Sequence, residues 1–568
     1  MSQYKINPLY DLKDLKLPKL WGRPMKVLAH LLNSSYANPV VKRQLLKDGG
    51  IESLREVQLD QAPVMMPKPD SRTDITPSDA RDSITQFCAR MNEEQNGTSG
   101  FYHSFRDFAV DYRTGKSSPT TVANRLIETL KAQKETINAI TNFDEQDILH
   151  QARESEKRLR EGTPRSPLEG VPVSVKDEVD ATPYPTSVGT QVYGKDGPAQ
   201  EDATVVARMR AAGCIIIGKA NMHEIGIGVN GYNPHFGVCR NPYHLQHATG
   251  GSSSGSAAAV AAGIGPLSLG ADGGGSIRIP AALCGQVGLK ATWSRISEHG
   301  AAPLCWSVAH LGPIGANVDD VAMAYLTMAG PDPKDSWSLD QPELNMIGYG
   351  NSDLSGFKTG IYHPWFEHAT PDIVDACRTA VGHLIEHGAT EQEIFIDKLE
   401  AQRVAHAVTI SSEMLTAVER EYLKTPMKFA TTTRIGLGFA SAFRSTDYVK
   451  AQRVRAFAIE EFNRVFKEVD VIITPTTAVT APGINNKSLP QGESDLASMT
   501  QLMRFVTATN LTGFPSITLP VGYDEKGLPV GLQITGRAWE EHILLRMAKV
   551  IEGHINKKKP TVLYDILR

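Results

Sequence analysis

Residues 249–292 read TGGSSSGSAAAVAAGIGPLSLGADGGGSIRIPAALCGQVGLKAT. So much Gly and Ser would suit a flexible linker, but two features exclude one. SAAAVAAG (256–263) is Ala-rich and follows a run of hydroxyls, the composition of a helix with its cap. SIRIPAALCGQVGLK (276–290) is apolar and belongs in a core. Gly273, Gly274 and Gly275 let the backbone approach a ligand closely and turn its N–H groups inward, which side chains would prevent. Directly before Ser276, that predicts an oxyanion hole beside a nucleophile. A serine needs a base to attack a carbonyl, and no His falls within the stretch; a lysine kept neutral by burial is the alternative. Two lysines end apolar strands, Lys176 in VPVSVKDEVD and Lys219 in CIIIGKANMHE, and spacing does not choose between them.

Outward from this stretch the pattern is α/β. Val171, Val173 and Val175 alternate, CIIIG (214–218) is a short continuous apolar run, and DATVVARMRAAG (202–213) between them is helical. VDVIITPTT (469–477) predicts a further strand, and PSITLPVGYDEKGLPVGLQITG (515–536) a strand pair turning near Gly527. Upstream, SSPTTVANRLIETL (117–130) carries a Ser cap, a first-turn Pro and apolar Val122, Leu126 and Leu130. A second helix follows in DEQDILHQARESEKRLREG, stopping at Gly162. Residues 1–95 differ: the periodic LWGRPMKVLAHLL (20–32) is followed by the Pro- and Asp-rich DQAPVMMPKPDSRTDITPSDARD. Trp21, Met25, Leu28 and Leu32 share one helix face, which either docks on the main domain or meets lipid or substrate.

Composition narrows the function classes. With 41% hydrophobic and 21% charged residues the chain of 568 builds a large core, and a net charge of -4 disfavours nucleic acid as partner. Six cysteines without a CxxC pair read as reduced thiols. Neither an export signal nor an 18-residue apolar run is seen, so the expected location is cytoplasmic or peripheral to a membrane. Other motifs fail on context. Gly226, Gly228 and Gly231 form a GxGxxG with no strand-to-helix turn. Gly251, Ser253 and Gly255 form a GxSxG after a loop, and an SxxK and a KTG overlap on Lys358. His223, His235, His244 and His247 lack paired-ligand spacing, so no metal is expected.

GGSSSGSAAAVAAG, GADGGGSIRIPAALCGQVGLK, VPVSVKDEVD and GKANMHEIGIG together resemble the amidase signature family. The resemblance implies a large mixed β-sheet covered by helices on both faces, and no cofactor. It also implies a Ser-cisSer-Lys triad. Carried over, the triad is Lys176, Ser252 and Ser276, which makes Lys219 structural. Ser253, Asp272 and Arg278 become supporting residues, and the N–H groups of Gly273, Gly274, Gly275 and Ser276 the oxyanion hole. LWGRPMKVLAHLL, GKANMHEIGIGVNGYNPHFGVCRNPY, LMRFVTATNLTGFPSITLPVGYDEKGLPVGLQITGRAW and VLYDILR resemble the plant-type fatty acid amide hydrolases within that family. Departures fall at Trp293 and in residues 294–310. The implied organisation is a helical extension with linker over 1–95 and a catalytic domain over 96–568. The implied substrate is a small lipid amide of the N-acylethanolamine type, with Trp21, Met25, Leu28 and Leu32 as candidate acyl-chain contacts. A homodimer and a peripheral membrane contact are open. The alternatives are a short-chain or aryl amidase of the same family, or a glutamine amidotransferase subunit.

Overall fold

The computed structural model describes residues 10–15, 19–33, 38–71, 74–93, 100–489 and 491–568. The expected boundary between residues 95 and 96 lies outside them. Eleven strands form one mixed sheet. In chain order they are β1 (Ile140–Asn142), β2 (Pro172–Lys176), β3 (Ile215–Ala220), β4 (Leu267–Ala271), β5 (Val287–Lys290) and β6 (Leu311–Gly315). Then come β7 (Lys358–Ile361), β8 (Thr390–Glu393), β9 (Val471–Pro475), β10 (Ser516–Tyr523) and β11 (Pro529–Gly536). Their spatial order is β8-β7-β9-β11-β10-β5-β6-β4-β2-β3-β1.

Toward one edge of the sheet the neighbouring strands β4, β2 and β3 run parallel. Every residue of the three is buried, because helices cover both faces and a strand so placed gains from apolar side chains on both sides. The expected hairpin is present: β10 and β11 pair antiparallel, and Gly527 closes the turn at φ +79°, a left-handed conformation that suits Gly. Local signals set the helix starts. Ser118 Oγ accepts from Thr121 N at 3.2 Å above the helix Pro119–Gln133. Asp144 accepts from the N–H groups of Gln146 and Asp147 at the head of Glu145–Arg160.

One cap differs from the sequence reading. No side chain caps the helix Ser254–Ala261. Its hydroxyls instead tie it to the sheet and the neighbouring loop: Ser256 Oγ donates to Leu269 O at 3.1 Å and Ser254 Oγ to Asn221 O at 3.2 Å. A wholly buried helix has no water to share, so its hydroxyls satisfy the nearest carbonyls.

The N-terminal extension is woven into the body. Leu20 and Trp21 pair antiparallel with Ser494 and Glu493, and Lys19 Nζ lies 2.8 Å from Glu493 Oε1. The helix Gly22–Asn33 buries Met25, Ala29 and Leu32 against Ile435 of the helix Thr431–Ala440. Leu28 is partly buried in the same seam, while Trp21 stays 39% exposed. Met25→Asp therefore puts a charge into a closed apolar seam, whereas Val27→Asp places the same charge on the exposed face. Met25→Asp should cost at least about 2 kcal/mol of local stability and Val27→Asp almost none. Hydrogen exchange of the amides in 22–33 distinguishes them.

Candidate active site

Lys176 and Lys219 end adjacent strands but leave the sheet on opposite faces. Lys176 pairs with Ala220 and Val175 with Lys219, and neighbouring positions along a strand point to opposite sides. Lys219 Nζ donates to Val179 O at 2.7 Å and Thr186 Oγ1 at 2.8 Å, and sits 3.6 Å from Asp177. Burial pulls its amine below the usual range against the carboxylates of Asp177 and Asp180. It touches neither Ser252 nor Ser276 through any of these bonds. Lys176 Nζ lies 2.8 Å from Ser252 Oγ and donates to Ala271 O at 3.1 Å, with both side chains closed to solvent. Glu178 Oε2 lies 3.2 Å from the same amine. That carboxylate did not emerge from the sequence, although its place two residues after Lys176, on the turn leaving β2, was available as a signal.

The Gly251–Ser252 peptide is cis. Ser253 links the two serine segments. Its N–H donates to Ser276 O at 3.2 Å, its hydroxyl to Ala271 O at 3.1 Å, and it accepts from Ala271 N at 3.3 Å. Ser276 follows β4 and precedes the short helix Arg278–Leu283. Its side chain borders an apolar cavity.

Asp272 and Arg278 lock the loop between them. Arg278 Nε donates to Asp272 Oδ2 at 2.9 Å and Nη2 to Oδ1 at 3.0 Å, and both side chains are fully buried. The guanidinium also donates to Thr509 Oγ1 at 2.6 Å, Gln533 Oε1 at 2.7 Å and Asn510 Oδ1 at 2.6 Å. Burial alone would raise the Asp272 carboxyl, but the Arg278 charge and the bonds from Arg278 and Asn510 hold it well below the usual carboxylate range.

The same carboxylate takes one of the backbone donors expected from the sequence. Gly275 N–H donates to Asp272 Oδ1 at 2.6 Å, so of the four donors expected from the sequence, Gly273, Gly274 and Ser276 are left for a bound oxyanion. Glycine is required here by space as well as by φ. At Gly275, φ is +101° and a Cβ would lie 2.5 Å from Val506 Cγ2; at Gly274 one would lie 2.8 Å from His406 Cε1.

His406, on the long helix Leu399–Lys424, was also unforeseen. Its Nε2 is 2.7 Å from Gly273 O, a carbonyl, so Nε2 carries the proton and donates. Burial lowers its pKa to about 4. The cavity beside Ser276 is walled by Ile227, Val229, Ile410, Met414, Met499 and Met503. A second cavity adjoins it, sharing Ile227, Val229, Ala407, Ser411 and Met499, and runs to Ile435, Phe439 and the Glu493–Ser494 strand. Neither is lined by Trp21, Met25, Leu28 or Leu32, since the extension faces the back of these walls. Trp293, where the family resemblance departs, packs on Trp337, and Cys305 lies behind the loop, 2.8 Å from where a Cβ on Gly273 would stand.

The fold and the site define a hydrolase of carbon–nitrogen amide bonds. The chain belongs to the amidase signature family, whose profile, Amidase, matches residues 121–545. It is 41% identical over 478 residues to a fatty acid amide hydrolase of Oryza sativa subsp. japonica, spanning 82% of this chain and 79% of the relative. With a fatty acid amide hydrolase of Arabidopsis thaliana it shares 36% identity over 587 residues, 98% of this chain and 96% of the relative. The native peptide amidase of Stenotrophomonas maltophilia superposes with a TM-score of 0.69 at 27% identity, covering 81% of this chain and 98% of that one.

Three other buried histidines share the behaviour of His406. Burial lowers His223 and His542 to about 4, and His310 well below its ordinary value. Folded, they stay neutral where the unfolded chain protonates near pH 6.5. The stability they support is full above that pH and is lost as pH falls from about 6.5 toward 4, by about 1.4 kcal/mol per pH unit for each group. Urea midpoints measured from pH 7.5 to 4.5 should therefore fall steeply below pH 6.5. His406→Gln should flatten part of that slope.

Proposed function

We propose that this amidase hydrolyses fatty acyl amides of the N-acylethanolamine type through an acyl-enzyme on Ser276. The observation that carries the substrate class is the apolar cavity beside Ser276, which continues past Ala407 and Ser411 into a second chamber. A long acyl chain would gain about 0.8 kcal/mol per methylene on leaving water for such walls. A short amide has nothing to place there. The likeness to fatty acid amide hydrolases over nearly the whole chain, extension included, supports the same reading.

In the proposed mechanism Lys176 takes a proton from Ser252 as Ser252 takes that of Ser276, whose oxygen attacks the amide carbonyl. Glu178, 3.2 Å from Lys176 Nζ, balances the charge the lysine then carries. The oxyanion is held by the N–H groups of Gly273, Gly274 and Ser276, each such donor contributing about 3 kcal/mol in comparable sites. His406 keeps the Gly273 peptide oriented by fixing its carbonyl. The proton returns through Ser252 to the leaving amine, and water releases the fatty acid. Neither a metal nor a cofactor enters this scheme.

The test is product release from a long-chain N-acylethanolamine, an aryl amide, a short aliphatic amide and glutamine, each beside Ser276→Ala. Acylethanolamine turnover that vanishes in the variant is the expected result. Turnover of the aryl or short amide alone would discard the lipid assignment. Glutamine turnover that needs co-purifying subunits would favour an amidotransferase, and tight fatty amide binding without turnover a silent lipid-binding protein. Ala407→Phe, at the junction of the chambers, should raise KM for the long-chain amide at least about tenfold, a cost of about 1.4 kcal/mol, and leave the short amide unchanged. Equal loss on both substrates would show that the acyl chain takes another path.

A further inference from the structure

Half of the chain's six tryptophans border one cavity that the amide chemistry does not use. Trp293, Trp306 and Trp337 line it with Glu298 and Cys305, and it encloses about 340 Å³. It shares no lining residue with the two chambers beside Ser276. Trp293 is buried, and its ring meets that of Trp337 at 5.4 Å between centroids, tilted by 59°. Trp306 and Trp337 remain 38% and 45% exposed. Indole rings are on average well buried, so two left open on one cavity present binding surface.

Hydrogen bonds hold these walls in place. Glu298 N–H donates to Asp335 Oδ2 at 3.0 Å and Trp337 N–H to Asp335 Oδ1 at 3.1 Å, so one carboxylate ties the glutamate to a tryptophan. Beside Trp306, Ser307 N–H donates to Glu413 Oε2 at 3.1 Å. The Glu298 carboxylate itself has no hydrogen bond or ion pair among the described residues. The two basic residues on the wall are committed to Glu201: Lys334 Nζ lies 2.7 Å from its Oε2 and His299 Nε2 3.2 Å from its Oε1. Burial, and after it the carboxylates of Asp335, Glu178 and Glu413, push the Glu298 carboxyl up to about 8. Of those three, Glu178 has the amine of Lys176 at 3.2 Å.

We infer that this cavity binds a small alkylammonium ion of the choline class, with its charge at Glu298 and its alkyl groups against Trp293, Trp306 and Trp337. Tryptophan is the aromatic side chain that attracts such a cation most strongly, and the attraction grows where water is excluded. A neutral apolar guest would leave the carboxylate uncompensated, and calcium or magnesium would want six or more oxygen ligands where aromatic walls stand. An alkylammonium ion satisfies both the charge and the walls. It favours the ionised form of Glu298, so binding expels the carboxyl proton and affinity rises as pH climbs through about 8. Because the cavity has no wall in common with the chambers beside Ser276, the ion does not compete with the amide. The site is independent of which amide is hydrolysed.

The full-length protein is titrated with choline by calorimetry and by tryptophan fluorescence, beside the uncharged isostere in which carbon replaces the nitrogen. One saturable equivalent of choline is expected, bound at least about tenfold more tightly than the isostere. Trp306→Ala and Glu298→Gln should each weaken binding at least about tenfold. Glu298→Gln should also remove the rise of affinity between about pH 7 and 9. Trp21→Ala, a tryptophan outside the cavity, should leave binding intact. Unchanged circular dichroism and Tm establish that the variants fold. The site is overturned by the absence of a saturable equivalent, by equal binding of the isostere, by undiminished affinity in the Trp306→Ala/Glu298→Gln double variant, or by competition between choline and the amide substrate.

Discussion

A single buried guanidinium organises the catalytic region. Arg278 fixes the carboxylate of Asp272 on one side and reaches Thr509, Asn510 and Gln533 on the other. The loop that carries Ser276 is thereby held by the helix Thr507–Thr512 and by β11, elements far along the chain. Removing one partner from such a pair leaves an uncompensated buried charge, at a cost of about 3–5 kcal/mol. The glycines of the loop can be this numerous because their conformational freedom is cancelled by that network rather than by their own side chains.

From this anchor the site is assembled in layers. Asp272 takes the N–H of Gly275, His406 the carbonyl of Gly273, and Ser253 the carbonyl of Ser276. Each bond consumes a backbone group that would otherwise point elsewhere, while Gly274 and Ser276 line the cavity. In the proposed mechanism the donors of this loop are set before substrate arrives, which makes such donors effective in a dry site. Lys176 belongs to the same layer through Ala271 O, the last residue of β4.

Much of this architecture was legible locally. The cap at Ser118, the β10–β11 hairpin and the apolar β2 and β3 depend on neighbours in sequence, so short windows sufficed. The stretch 249–292 announced a core element carrying reactive serines. What it could not announce were partners brought from afar. His406 lies on a helix with no motif about it, and Asn510 and Gln533 became meaningful only once they closed on Arg278. The hydroxyls before Ala257 looked like caps because composition cannot distinguish an N-terminus in water from one buried against a sheet.

The short pairing of Leu20 and Trp21 with Ser494 and Glu493 has a consequence for how this enzyme can vary. Glu493 and Ser494 are wall residues of the outer chamber, so the extension props a wall from outside without touching what lies within. Substitutions or insertions in that first segment can reshape the chamber while the serines and their lysine remain untouched. On the proposed reading of the chamber as an acyl-chain site, chain-length preference and chemical competence are thus separately heritable, one drifting at the periphery while the other is held fixed at the centre.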